Sequence, residues 1–331
     1  MEQPNPDDYK LESIVDLLSK PEPKLEWLID NIWVDKSRGL IAGNPGVGKT
    51  WLALDMLLSV ATGGLCLGKY QAQKGAVLLV EEEGSEFNLA RRLHCMARAR
   101  GLKHSQLENF FHLTRKFVKI PEDLTKLCNM MFGYDIKLVV FDSLRRFHSR
   151  DENSSSEMQP VLEGFAKLNS MTGASVVLIH HLAKSNDKSN KPLFERLRGS
   201  SDFWAWRDCL IGVEGEDESH KATCSFQFRD AQAQEPIQVV RVVDTTSGAI
   251  HLQADEAGDT DEFMERAEFI LNYMKTQWGS VSRAQICDNV KGRKADILKA
   301  LKVMEKRKLV VLDGIKLAVP EFTGTNGNLG T

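Results

Sequence analysis

The chain has 331 residues, 42% of them hydrophobic and 27% charged, which suits one large α/β domain with a small appendage and excludes a chain too polar to fold. A formal net charge of −3 excludes a uniformly basic nucleic-acid coat, although local surfaces can still be basic. No apolar run reaches the roughly 20 residues that span a bilayer, the amino terminus lacks a secretory core, and the 6 cysteines have no zinc spacing, so a reduced cytoplasmic protein with no membrane segment is expected.

Residues 1–23 are polar and proline-containing and read as a flexible leader. From residue 24 strand and helix patterns alternate. Arg38-Gly-Leu-Ile-Ala42 reads as a short buried strand, and residues 51–60 read as a largely buried helix. Between them Gly43, Asn44, Pro45, Gly46, Val47, Gly48, Lys49 and Thr50 satisfy the phosphate-loop pattern G-x-x-x-x-G-K-[ST]. Glycines let backbone N–H groups turn onto phosphate oxygens, and the new helix points its positive end at the same anion. Lys49 then reaches the β- and γ-phosphates, and the Thr50 hydroxyl ligates Mg²⁺, so ATP and Mg²⁺ are the expected cofactors.

The strand at 76–80 ends in Glu81, Glu82 and Glu83 and leads to a helix at 85–100 and a strand at 110–113. Leu138-Val-Val-Phe141 is a buried strand that delivers Asp142 to the ligand-binding edge of the sheet as the second magnesium residue. A helix at 157–172, a strand at 175–180, a helix at 200–206 and a strand at 209–213 complete a parallel sheet with right-handed crossovers. Strands at 222–229, 237–243 and 250–252 extend it in antiparallel fashion.

Ser143 follows Asp142, where AAA+ machines usually carry the glutamate that activates water, so that carboxylate is sought on the neighbouring strand end. This arrangement resembles the RecA/DnaB-type ATPases. Asp151-Glu152-Asn153 is similar to the D-E-N signature of the RepA-like branch, the plasmid and phage hexameric helicases. The resemblance covers about residues 24–252 and implies a RecA-like ATPase domain. By register it gives Glu83 the water-orienting role, with Glu82 the alternative. It gives His181, before Leu182, the γ-phosphate sensor role, with His180 the alternative. The family's loop after the sensor touches single-stranded DNA. Here it carries Lys184, Lys188, Lys191, Arg196 and Arg198 and exits through Leu197-Arg-Gly-Ser-Ser201, which resembles the family's exit motif. The family's K-x-R finger, supplied in trans within a ring, is matched by Gln227-Phe228-Arg229. Arg229 is therefore the implied finger, with Arg207 the alternative, and glutamine replaces the usual lysine.

Residues 253–260 are acidic and apolar-poor, a linker. Helical patterns at 261–277, 282–289 and 293–306, then a hairpin at 309–319 with Asp313-Gly314 at its turn, resemble a winged-helix domain over 261–321, ahead of a disordered tail at 322–331. The basic stretch 291–308 suits duplex DNA, a partner such as a primase, initiator or loader, or simply water. The expected function is a Mg-ATP-dependent homo-oligomeric ring, probably hexameric by resemblance, acting as a replicative helicase on single-stranded DNA. The alternatives are a non-unwinding recombination mediator or regulatory remodeller, and a DNA-binding regulator with ATP-controlled oligomerisation.

Overall fold

The computed structural model describes residues 12–182, 202–215, 220–255, 261–277, 280–306, 309–313 and 316–319. The apolar runs become parallel strands: β1 (Arg38–Gly43), β2 (Ala76–Glu81), β3 (Phe110–Thr114), β4 (Ile136–Asp142), β5 (Ser175–His181) and β6 (Cys209–Glu214). Three further strands, β7 (Lys221–Phe228), β8 (Ile237–Asp244) and β9 (Ala249–Asp255), join in antiparallel sense. They form one 9-stranded sheet in the order β9-β8-β7-β6-β1-β5-β4-β2-β3. The RecA-like parallel sheet with its antiparallel extension is therefore present. Strand β9 runs to Asp255, three residues into the segment read as linker, because Gln253, Ala254 and Asp255 pair with Val240, Val239 and Gln238.

Helices cover both faces: α1 (Lys49–Thr62) and α2 (Glu86–Ala99) on one, α3 (Leu124–Phe132), α4 (Ser155–Thr172) and α5 (Asp202–Trp206) on the other. Helix α3 is an addition to the sequence expectation. Side chains alternate strictly between the faces, as the two-residue repeat of a strand requires. Ile41, Val77, Leu79, Leu138, Val140, Val177 and Ile179 join the cluster under α1 and α2. Leu40, Leu78, Val80, Val139, Phe141, Val176 and Leu178 join the cluster under α3, α4 and α5. At about 2 kcal/mol per buried aliphatic side chain, these layers fix the strand register, and the register fixes which strand-end residues share a face. Gly39 is needed where β1 meets β6, since a Cβ there would lie 1.9 Å from the Cys209 carbonyl oxygen.

Beyond the sheet, α6 (Asp261–Thr276), α7 (Arg283–Asn289) and α8 (Lys294–Lys306) precede strands β10 (Val311–Asp313) and β11 (Lys316–Ala318). They have a core of their own, including Ile270, Met274, Ile286, Ile297, Leu301 and Leu317. Ser282 caps α7 in a reciprocal box with Gln285, and Val281 bridges to Leu317, adding a third short run beside the β10–β11 hairpin. Gly314 of the expected turn lies outside the described residues. In the leader, Ile14–Leu18 forms a short helix with every side chain exposed. No described helix is long and apolar enough to cross a membrane.

Candidate nucleotide site

The phosphate loop joins β1 to α1 at the carboxyl edge of the parallel strands. Gly48 caps α1 with φ 96°, a left-handed conformation open to glycine, and no side chain caps the helix, so its first N–H groups remain for an anion. Lys49 is 5% exposed. Its Nζ donates to the carbonyls of Gly43 at 2.9 Å and Asn44 at 2.7 Å and lies 3.3 Å from His181 Nδ1. Burial lowers the Lys49 ammonium to about 8, against the opposing pull of Asp142 and Glu83.

The Thr50 hydroxyl donates to Asp142 Oδ2 at 2.7 Å, so the two expected magnesium residues touch across 92 positions of sequence. Asp142 is almost wholly buried. That burial raises its carboxyl, Glu83 adds to the effect, and the Thr50 bond opposes it. An alcohol and a carboxylate oxygen side by side at a phosphate loop are hard donors of the kind Mg²⁺ takes while keeping several waters. The residues present fit that ion.

The three adjacent glutamates divide by the strand repeat. Glu82 turns to the face of α3, where its Oε1 accepts from the Val118 N–H at 3.1 Å. Glu81 and Glu83 turn to the face of α1. Glu81 is 3% exposed and pairs in register with Asp142; burial first, then Asp142, raises its carboxyl. Glu83 stands further out, where its Oε1 accepts from Ser143 Oγ at 2.6 Å and lies 3.6 Å from Arg146 Nε.

The two histidines divide in the same way. His181 faces the phosphate loop and Lys49. His180 is buried on the other face with its ring stacked on Phe203, centroids 5.2 Å apart.

Arg229 is not brought to the loop of its own chain. Phe228 pairs with Cys209 and Cys209 with Gly39, so Arg229 sits beyond the start of β1, roughly 15 Å along the strands from Gly43. There it is 3.2 Å from Asp208 Oδ1 and donates to the carbonyls of Ala205 and Arg207. Arg207 is buried, donates to Gln227 Oε1 at 2.9 Å and lies over the Trp204 ring. Lys184, Lys188, Lys191, Arg196 and Arg198 lie outside the described residues.

Sequence reasoning missed the cleft beside the loop. Gly46, Gly48 and Trp51 face His220, Lys221 and Arg241 from the antiparallel extension. Arg92 and Arg241 flank the Trp51 ring at 5.7 and 5.6 Å. No local pattern announces residues that distant. Ser143 and Arg146, which hold Glu83, lie in the segment after Asp142 and were the more readable omission.

A family model described as AAA domain matches residues 5–187, more than half of the chain, and spans the phosphate loop, Glu83, Asp142 and His181. The chain belongs to the AAA domain family and is a P-loop ATPase.

Proposed function

We propose that this ATPase works as a Mg-ATP-dependent ring, in the manner of the RepA-type replicative helicases, and translocates on single-stranded DNA. The observation that carries the reading is the placement of a free-standing carboxylate, Glu83, on the strand beside the one that ends in Asp142, with Asp142 already bonded to Thr50. That is the neighbouring-strand arrangement the RecA/DnaB resemblance implies.

Lys49 exchanges its carbonyl partners for the β- and γ-phosphates of ATP. Thr50 and Asp142 would hold Mg²⁺, which offsets phosphate charge when bound. Glu83, with one oxygen engaged by Ser143, orients the attacking water through the other. His181, already beside Lys49, follows the γ-phosphate. The cleft at Trp51, His220 and Arg241 has the position to receive the nucleobase. Arg229 is too far from its own loop to act in cis, which supports a role in trans and therefore a ring of identical subunits. The cations between Lys184 and Arg198 take the DNA backbone. The C-terminal three-helix and hairpin unit, a winged-helix arrangement, receives duplex DNA or a loader protein.

The test is the oligomeric state with Mg²⁺ and a non-hydrolysable ATP analogue, with and without single-stranded DNA, followed by strand displacement on forked DNA. Closed rings that displace a strand at the cost of ATP are expected. A monomer under all conditions sinks the ring, and rings that hydrolyse ATP without displacement sink the helicase.

A further inference from the structure

Between the strand ends lies a cavity of about 150 Å³ lined by Ser143, Arg145, Glu152, Ile179, His180 and His181. It separates two groups that the nucleotide site does not use. One is the pair His148 and Glu152, both on the segment that follows Asp142. The His148 side chain is 1% exposed, and its Nε2 stands 3.6 Å from Glu152 Oε1. Neither atom has a hydrogen-bond partner among the described residues. His148 Nδ1 accepts from the Arg150 N–H at 3.2 Å, so the neutral ring carries its proton on Nε2, facing the carboxylate. The other group is His180 stacked on Phe203, which is fully buried at the start of α5. Burial alone would raise the Glu152 carboxyl, yet His148, His180 and Arg145 together hold it below the ordinary range.

The strand repeat turns this into a connection. His181 looks at Lys49, and the next residue back along β5, His180, looks through the sheet at Glu152 and Phe203. A shift of the β5 end by a fraction of a residue moves both rings together, because they share one backbone. Phe203 begins the helix that receives the chain after residues 183–201. A signal at His181 therefore has a rigid route to α5, provided the far side of His180 is held.

We propose that Glu152, buttressed by His148, is a positioning residue that clamps His180 against Phe203 and so couples nucleotide occupancy at Lys49 to the position of α5. The proposal rests on the ATPase reading and goes beyond it, since it assigns work to the face of β5 that touches no nucleotide. The loop reading adds one consequence: DNA affinity would change with nucleotide state through the same clamp.

Trp204, next to Phe203 and 38% exposed, supplies a reporter inside α5. Its fluorescence is obtained as the difference between the chain and its Trp204→Phe variant, each titrated with Mg²⁺ and a non-hydrolysable ATP analogue. The wild-type signal is expected to change on binding. In Glu152→Gln, which keeps the shape and removes the charge, and in Phe203→Leu, which keeps the core filled and removes the stack, the change is expected to vanish while analogue affinity and melting temperature stay near wild type. Coupling between sites is typically about 5- to 150-fold, so the ratio of single-strand affinity with analogue to that with ADP should fall at least roughly fivefold in both variants. A wild-type Trp204 signal that ignores the nucleotide overturns the proposal. So does a full response in both variants, or a loss of response matched by an equal loss of analogue affinity. If wild type binds no single-stranded DNA, the helicase reading fails, and the Trp204 arm still decides the clamp.

Discussion

Lys49 offers a test whose size follows from its surroundings. Burial lowers its ammonium to about 8 in the free protein, whereas phosphates at the loop favour the charged form and push the value up again. Binding of metal-free ATP must therefore draw a proton whenever the free lysine is uncharged. With a free value of about 8, roughly three quarters of the molecules carry the charge at pH 7.5 and roughly one tenth at pH 9. The sign is unambiguous: the charged form binds, so affinity falls as pH rises. The expected loss from pH 7.5 to 9 is roughly eightfold, about 1.2 kcal/mol. Titration of metal-free ATP with a fluorescent analogue as competitor measures the loss. Calorimetry at pH 9 in two buffers of different ionisation enthalpy should count close to one proton taken up. Lys49→Arg, which cannot lose its charge in this range, should abolish both effects. An affinity constant within twofold across the range, with no proton uptake, would refute the burial argument.

Three further outcomes follow from the site. Lys49→Ala should lose nucleotide affinity and hydrolysis together, whereas Glu83→Gln should bind ATP normally and turn it over slower by roughly a hundredfold or more; near-normal turnover in Glu83→Gln moves the role to Glu82. Mixing Arg229→Ala subunits with Lys49→Ala subunits should restore part of the ATPase that neither has alone, and demonstrably mixed rings with no activity would argue for Arg207. Neutralising Lys188 and Lys191 together should weaken single-strand binding on unrelated sequences alike and reduce the salt slope by about two counterions; an unchanged slope in fluorescence anisotropy removes the loop from the DNA path.

Most of the sheet was legible because its strands are continuous apolar runs. Leu138-Val-Val-Phe141 has no other use for four apolar side chains than a sheet covered on both faces. Helix α3 was missed although Leu124, Leu127, Cys128 and Met131 carry a helical spacing, since the stretch is short and follows an irregular segment. Within the site, contiguous motifs were readable and convergent ones were not. Gly43 to Thr50 form one uninterrupted pattern, and Asp142 ends a recognisable strand. His220 and Arg241 reach Trp51 only through the antiparallel pairing of β7 with β8, a register that no local pattern fixes.

The same physics explains why this site can place its water-orienting group away from Asp142. In a sheet where β2 and β4 are neighbours, Glu81 lies opposite Asp142, and the two-residue repeat returns Glu83 to the same face while sending Glu82 to the other. A carboxylate two steps beyond the strand end therefore approaches the metal residue's side of the sheet without following it in sequence. The position after Asp142 is then free for a small donor, and Ser143 uses it to hold Glu83 through a 2.6 Å bond. Swapping the order of these parts should not work: a glutamate in place of Ser143 would meet Glu83 as a like charge in a partly buried setting, and Ser143→Glu should lower turnover rather than supply a second base. Turnover measured in Ser143→Glu alone and with Glu83→Gln decides the point, because a second base would make the double variant faster than Glu83→Gln, and simple repulsion would not.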